Sequence, residues 1–324
     1  MTEKTKILVI KLGALGDFVQ ALGPMAAIRR HHPQADITLL TTAPFVTFGR
    51  DCGYFNHIWI DERPRWHNIG GWLALRQKLN EAGFGRVYDL QNNDRTGLYF
   101  RLFRQKPEWV GVASGASHRN DSPQRTAGPA FDGHAQTLKL AGIDDVALDD
   151  LSWIKGDITS FNLQKPYVLL VPGCAPSRPE KRWDPQNYGI IARTLYGWGY
   201  TPVIIGTAGE QDLARQIAYA CPQAVDLTGK TALTDIVLLA REAAAAIGND
   251  TGPMHLIAPT GCPCYVLFSQ HSNPDRHAPP GPYVSVIRTG DLSTLPPDEV
   301  LRTLSICDFR QKGQQAPSES SPSQ

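Results

Sequence analysis

Apolar runs alternate with segments of helical period along this chain, and the alternation happens twice. Lys6–Lys11 is a continuous, largely β-branched run, the pattern of a strand buried on both faces. Asp17–His31 follows with Phe18, Ala21, Leu22, Met25 and Ile28 at helical spacing, and Pro33 stops it. Asp36–Thr42 is the next strand, and right-handed crossover makes it parallel to the first. Ile58–Ile60, Arg86–Leu90 and Trp109–Val112 read as further strands, and Trp72–Glu81, Thr96–Phe103 and His134–Leu140 as helices.

The same grammar restarts in the second half. Strands are expected at Tyr167–Val171, Pro202–Gly206, Ala224–Leu227, Ala244–Gly248, Cys264–Phe268 and Val284–Ile287. Asp184 caps a helix with Pro185 at its first position, and Gln211–Tyr219, Leu233–Glu242, Met254–Ala258 and Pro297–Leu304 continue the helices. Two such runs argue for an α/β chain of two doubly wound, Rossmann-like domains. The expected organisation is a first domain at 1–150, a linker at 151–165, a second domain at 166–309 and a disordered tail, rich in Pro, Ser and Gln, at 310–324. The stretch Ala113–Pro129 has no apolar period and is long for a connector, so it reads as mobile or functional.

Composition removes some classes of function. Lys+Arg number 32 against 31 Asp+Glu in 324 residues, a net charge of +1. No global field therefore selects nucleic acid. The six cysteines form no C-x-x-C pair and no His cluster has zinc spacing, which predicts buried thiols; Cys262 and Cys264 alternate as if on one face of a strand. There is neither a signal-peptide pattern at the N-terminus nor a run of roughly 20 apolar residues. A cytoplasmic protein is expected, with peripheral contact at the inner face of a membrane still open.

Ligands of doubly wound sheets sit at the carboxyl ends of strands, so four loops matter. The first, Lys11–Asp17, has Gly13 and Gly16 but lacks the middle glycine of a dinucleotide fingerprint, and no acid ends the second strand, which argues against a dehydrogenase. It leaves Asp17 at a helix N-terminus, as a simple cap or as a general base for a substrate hydroxyl. The second loop, Pro172–Trp183, gathers Arg178, Lys181 and Arg182, suited to phosphate oxygens or to solvent. The third, Gly248–His255, packs Asp250, Thr251, Gly252 and His255 around a helix opened by Pro253, a ready anion site. In the fourth, Glu210 either serves the helix it opens or clamps ribose hydroxyls. Thr228–Thr231 looks like the end of a Walker A loop, but the required leading glycine is Ala224, which argues against an ATPase.

The segments ILVIKLGALGDFVQALGP at 7–24, PGCAPSRPEKRW at 172–183, DLTGKTAL at 226–233 and GNDTGPMHLIAPTG at 248–261, in this order, resemble glycosyltransferase family 9, the ADP-heptose:lipopolysaccharide heptosyltransferases. The resemblance spans about Lys6 to Leu304. It implies a GT-B fold, with two Rossmann-like domains facing a central cleft, and an inverting transfer from a nucleotide sugar to a lipid-linked or oligosaccharide acceptor, without metal or other cofactor. It implies Asp17 as the base and Lys181 at the donor's phosphate and sugar. The donor motif is carried by Asp250, Thr251, Gly252 and His255. Ser177 falls at a phosphate contact, Glu210 at the ribose and Thr231 near adenine, while Gly13 and Gly16 belong to the substrate side of the first loop. Pro176 departs from the family's usual small polar residue. Arg119 and Arg125 are candidate acceptor contacts. A nucleotide-sugar epimerase of the same architecture, which needs no acceptor, and a non-catalytic nucleotide-binding protein are the rival readings.

Overall fold

The computed structural model describes residues 4–306. The expected tail at 310–324 and Cys307 lie outside them. Two compact units are present: the chain up to Ile154 together with Asp275–Pro280, and Lys155–Pro274 with the chain from Gly281 onward. The short Asp275–Pro280 segment thus packs with the first unit although it lies deep in the second half of the sequence.

The first unit runs β1 (Lys6–Ile10), α1 (Leu15–His31), β2 (Asp36–Thr41), α2 (Val46–Asp51), β3 (His57–Ile60), α3 (Ile69–Glu81), β4 (Arg86–Asp89), α4 (Asp94–Leu102), β5 (Glu108–Gly111), β6 (His118–Arg119) and α5 (Ala130–Lys139). Its sheet is parallel throughout, in the order β3-β2-β1-β4-β5-β6. The second unit runs β7 (Tyr167–Val171), α6 (Pro185–Gly197), β8 (Thr201–Ile204), α7 (Gln211–Ala220), β9 (Val225–Asp226), α8 (Leu233–Glu242), β10 (Ala245–Asn249), α9 (Gly252–Ile257), β11 (Cys264–Phe268), β12 (Val284–Arg288) and α11 (Pro297–Ile306); the short α10 (Pro274–His277), between β11 and β12 in the chain, belongs from Asp275 onward to the first unit. Its order, β12-β11-β10-β7-β8-β9, repeats the first sheet when counted from β7, and it too is parallel. Each sheet winds outward from its first strand, then returns to that strand's other side. Loops after β1 and β4, and after β7 and β10, therefore diverge and leave a crevice at the carboxyl ends.

Burial explains the central strands. Ile7–Ile10 and all of Tyr167–Val171 are inaccessible, because helices cover both faces of each sheet.

Four expectations change. The first helix begins at Leu15 with Ala14 at the cap position, so Asp17 lies in the first turn and is not the capping residue. Residues 151–154 do not form a free linker, because Leu151 and Ile154 are buried in the first unit and Trp153 sits edge-on to Phe48. The Ala113–Pro129 stretch is tied down: β6 pairs with β5, Ser117 Oγ accepts from Trp109 N–H, and Asn120 Nδ2 donates to Thr137 Oγ1. Cys262 precedes β11 and so shares no strand face with Cys264; both thiols are buried.

One glycine in α1 has a packing reason that no periodicity reveals. A side chain at Gly23 would overlap the Ala147 carbonyl, so the segment leading to Asp149 can cross α1 only where there is no Cβ. Arg30 Nη2, donating to the Asp145 carbonyl at 2.9 Å, holds that segment in place.

Candidate active site

In the first unit the chemistry gathers where β1 and β4 end side by side. Lys11 closes β1, and its Nζ donates to the Leu90 carbonyl at 3.0 Å. Leu12 N–H donates to Gln91 Oε1 at 2.8 Å, fastening the two loops together. Gly13 adopts φ +123° with the Phe45 ring 3.1 Å from where a Cβ would stand, so only glycine suits this turn. The turn delivers Asp17, exposed, in the first turn of α1, where the helix dipole favours a carboxylate. Asp17 lines a cavity of about 370 Å³ with Lys11, Gln91, Asn92, Arg125, His134 and Arg276 among its walls.

Electrostatics in this cavity follow from burial. Lys11 is wholly buried, which lowers its ammonium to about 8 against the opposing pull of Asp17 and Asp89. Burial raises the Asp89 carboxyl to about 6, although its Oδ1 accepts from Gln91 and Asn92 N–H at 3.0 and 2.9 Å. His134 is pushed well below the usual imidazole range by burial first and then by Lys11 and Arg125, so its ring is neutral. The cavity thus presents one accessible carboxylate among cations, the charge pattern of a base that works beside a negatively charged substrate. Of the two candidate acceptor contacts, Arg125 is a wall of the cavity, while Arg119 pairs with Asp121 at 3.9 Å.

The second unit assembles its cluster from loops after five adjacent strands, β11, β10, β7, β8 and β9. Lys181, in the turn between β7 and α6, donates from Nζ to Asp250 Oδ2 at 2.6 Å and to Ser272 Oγ at 3.1 Å. Ser272 Oγ donates to the same carboxylate oxygen at 2.5 Å. The lysine and aspartate side chains are 17% and 8% exposed, so the ammonium is fixed in position yet still reaches solvent. Asn249, fully buried at the end of β10, donates to the carbonyls of Pro172 and Gly173 at 2.8 and 3.3 Å and accepts from Trp183 N–H and Tyr188 Oη. One amide thereby joins the Lys181 loop to the Asp250 loop.

Thr251 occupies the N-cap position of the short α9 with no side-chain capping bond, Gly252 and Pro253 open the helix, and His255 is buried one turn in. Glu210 Oε2 accepts from Thr207 N–H at 2.7 Å and Thr207 Oγ1 at 3.0 Å, a reciprocal cap that also aims the carboxylate inward. It lies over Gly173 so closely that any side chain there would collide with it. Gly229 N–H donates to the Gly206 carbonyl at 2.8 Å, which brings the half-buried Thr231 segment beside the Glu210 turn. Ser177 is exposed at the rim of the second loop. The structure therefore collects Lys181, Glu210, Thr231, Asp250, Thr251, Gly252 and His255 at one end of the second sheet. Asp17, Gly13 and Gly16 belong to the corresponding end of the first sheet.

Sequence reasoning missed Lys11, Asp89, Asn249 and Ser272. For Asn249 a signal was present, because a polar residue closing a buried strand at a switch point must satisfy its amide locally. Ser272 carried none, since its role depends on β11 lying beside β10.

With this geometry in place, the model of "Glycosyltransferase family 9 (heptosyltransferase)" matches residues 134–300, just over half of the chain. The chain belongs to glycosyltransferase family 9. This family-9 glycosyltransferase is 32% identical over 317 residues to lipopolysaccharide heptosyltransferase 2 of Escherichia coli, covering 87% of this chain and 88% of that one. Its fold matches a family 9 glycosyltransferase from Veillonella parvula with a TM-score of 0.77 at 19% identity, over 93% and 96% of the two chains. It also matches an Escherichia coli heptosyltransferase solved with ADP-2-deoxy-2-fluoro heptose, with a TM-score of 0.73 at 17% identity, over 94% and 100%. The fold is of GT-B type, two Rossmann-like units in one chain. Among the described residues no helix is long and apolar enough to cross a membrane.

Proposed function

We propose that this glycosyltransferase moves a heptose from ADP-heptose to a hydroxyl of the lipopolysaccharide core or a related surface glycan, on the cytoplasmic side of the inner membrane, with inversion at the transferred carbon. The observation that carries the reading is Lys181, held by Asp250 and Ser272 at the switch point of the second sheet. A fixed, partly solvated ammonium at that place suits the diphosphate of a nucleotide sugar. The relatives supply the particulars: one is named for lipopolysaccharide and another was solved with an ADP-heptose analogue.

In the proposed reaction Glu210 clamps the ribose hydroxyls, and Lys181 with the Thr251–Gly252 turn holds the diphosphate. The acceptor hydroxyl enters the Asp17 cavity and loses its proton to the Asp17 carboxylate. Its oxygen bonds to the anomeric carbon as the bond to the β-phosphate oxygen breaks. Negative charge passes to the departing ADP, where Lys181 stabilises it and no metal is required. Asp17 then returns the proton to solvent.

The test is product analysis by mass spectrometry with ADP-heptose and a heptose-deficient core acceptor. The expected result is a new acceptor species heavier by one heptose, formed only when both substrates are present. Conversion of ADP-heptose without acceptor would instead identify the nucleotide-sugar epimerase.

A further inference from the structure

The first unit carries an outer surface that the site does not explain. Trp66 is 88% exposed, Ile69 71% and Leu73 57%. They are contiguous: Trp66 precedes α3, and Ile69, Leu73 and Arg76 follow at i, i+4 and i+7 on one stripe of it. The adjacent stripe, about a quarter-turn round the helix, holds Trp72, Leu75 and Leu79 and packs into the core. The helix is therefore apolar on two sides, and burial in this chain accounts for one of them.

The charge around the stripe is one-sided. From Glu62 to Arg76 the chain has three cations, Arg63, Arg65 and Arg76, against the single acid Glu62, whereas the whole chain is nearly balanced. All three cations are exposed. A protruding indole and two aliphatic side chains rimmed by arginines match the interface of an anionic bilayer, where rings and aliphatic groups enter the headgroup boundary and cations meet lipid phosphates.

The loop is also wired to the acceptor side. Arg63 Nη2 donates to the Leu12 carbonyl at 2.7 Å, one residue before Gly13. Asp61, where the loop leaves β3, accepts from Tyr99 Oη at 2.6 Å and from Arg63 N–H at 2.9 Å, which makes the loop's base rigid.

We propose that Trp66, Ile69 and Leu73, with Arg65 and Arg76, form a docking surface for an anionic lipid bilayer that holds the first unit against the membrane bearing its acceptor. This deepens the lipid-linked acceptor reading and rests on it. The surface is nonetheless measured without any acceptor.

The full chain is sedimented with vesicles of phosphatidylcholine alone or mixed with phosphatidylglycerol. Wild type is expected to pellet with the mixed vesicles and to be released by salt. Each arginine near such a surface is worth roughly fivefold in partition, so Arg65→Glu/Arg76→Glu loses at least about 25-fold. Trp66→Ser/Ile69→Ser/Leu73→Ser loses at least tenfold by removing the inserted groups, again as an order of magnitude. Both variants keep the wild-type melting temperature and turnover on a soluble, delipidated acceptor. Equal pelleting of wild type and the triple variant overturns the proposal, and so does a wild-type dimer in analytical ultracentrifugation that the triple variant abolishes, which would make this face a self-association surface. If wild type binds vesicles in the expected pattern but transfers no heptose, the docking surface stands and the transferase reading falls.

Discussion

Lys181→Met keeps the length of the side chain and removes its charge. In the structure the ammonium is 2.6 Å from Asp250 Oδ2 and 3.1 Å from Ser272 Oγ, and Asp250 is 8% exposed. Stripping one partner from a fully buried pair costs about 3–5 kcal/mol. Here Lys181 is 17% exposed and Ser272 still donates to the carboxylate, so the loss is about 2 kcal/mol. That corresponds to a melting temperature lower by roughly 4–8 °C for a unit of this size. Binding falls as well. Loss of charge-assisted hydrogen bonds to the diphosphate is worth about 1.5–3 kcal/mol, or roughly 10–150-fold in the Kd for ADP. The double variant Lys181→Met/Asp250→Asn leaves no orphaned charge, so it regains about 1 kcal/mol or more of stability but none of the ADP affinity. Scanning calorimetry reads the first effect and titration calorimetry with ADP the second. A single variant that binds ADP like wild type would refute the donor role of Lys181. A double variant no more stable than the single one would refute the buried-charge argument.

Other expectations follow from the same geometry. Asp17→Asn lowers kcat by about 10²–10⁴ and leaves the Kd for ADP unchanged; steady-state kinetics with undiminished kcat would remove Asp17 from the role of base. Gly173→Ala drives the Glu210 carboxylate off Thr207, costing about 1 kcal/mol of cap and roughly tenfold in ADP affinity. On a Glu210→Ala background the same substitution should add nothing to either loss, and a further drop in calorimetry would mean that Gly173 acts on its own. Burial lowers the Lys11 ammonium to about 8, so between that value and 10.5 the unfolded chain holds a proton that the folded chain has released. Stability therefore rises with pH across that window, by at most about 3 kcal/mol. Urea midpoints at its two ends should show the rise in wild type and its absence in Lys11→Met; an identical profile in both would assign the effect to another group.

Much of the fold was legible from local pattern. Ile7–Ile10 and Tyr167–Val171 read as strands because a strand covered on both faces must be apolar at every position, and no other element of that length needs to be. Pro185 after Asp184 marked the start of α6, since proline at the first helical position forfeits only an amide that has no partner in the helix. The same locality set the limits. The loop at Ala113–Pro129 read as mobile or functional without a choice between them, because its order comes from Trp109 and Thr137, partners outside it.

The candidate site divides in the same way. The sequence determined that two βα repeats end in loops bearing Asp17, Lys181, Glu210 and Asp250, because periodicity and helix-start chemistry are properties of neighbouring residues. Only the tertiary structure decided that Ser272 meets Asp250 and Lys181, that Asn249 binds two loops with one amide, and that Glu210 lies over Gly173. These contacts join residues 22 to 91 positions apart or depend on a glycine's missing Cβ. They exist because parallel strands distant in sequence end side by side, and strand order is fixed by the packing of the whole sheet rather than by any segment of it.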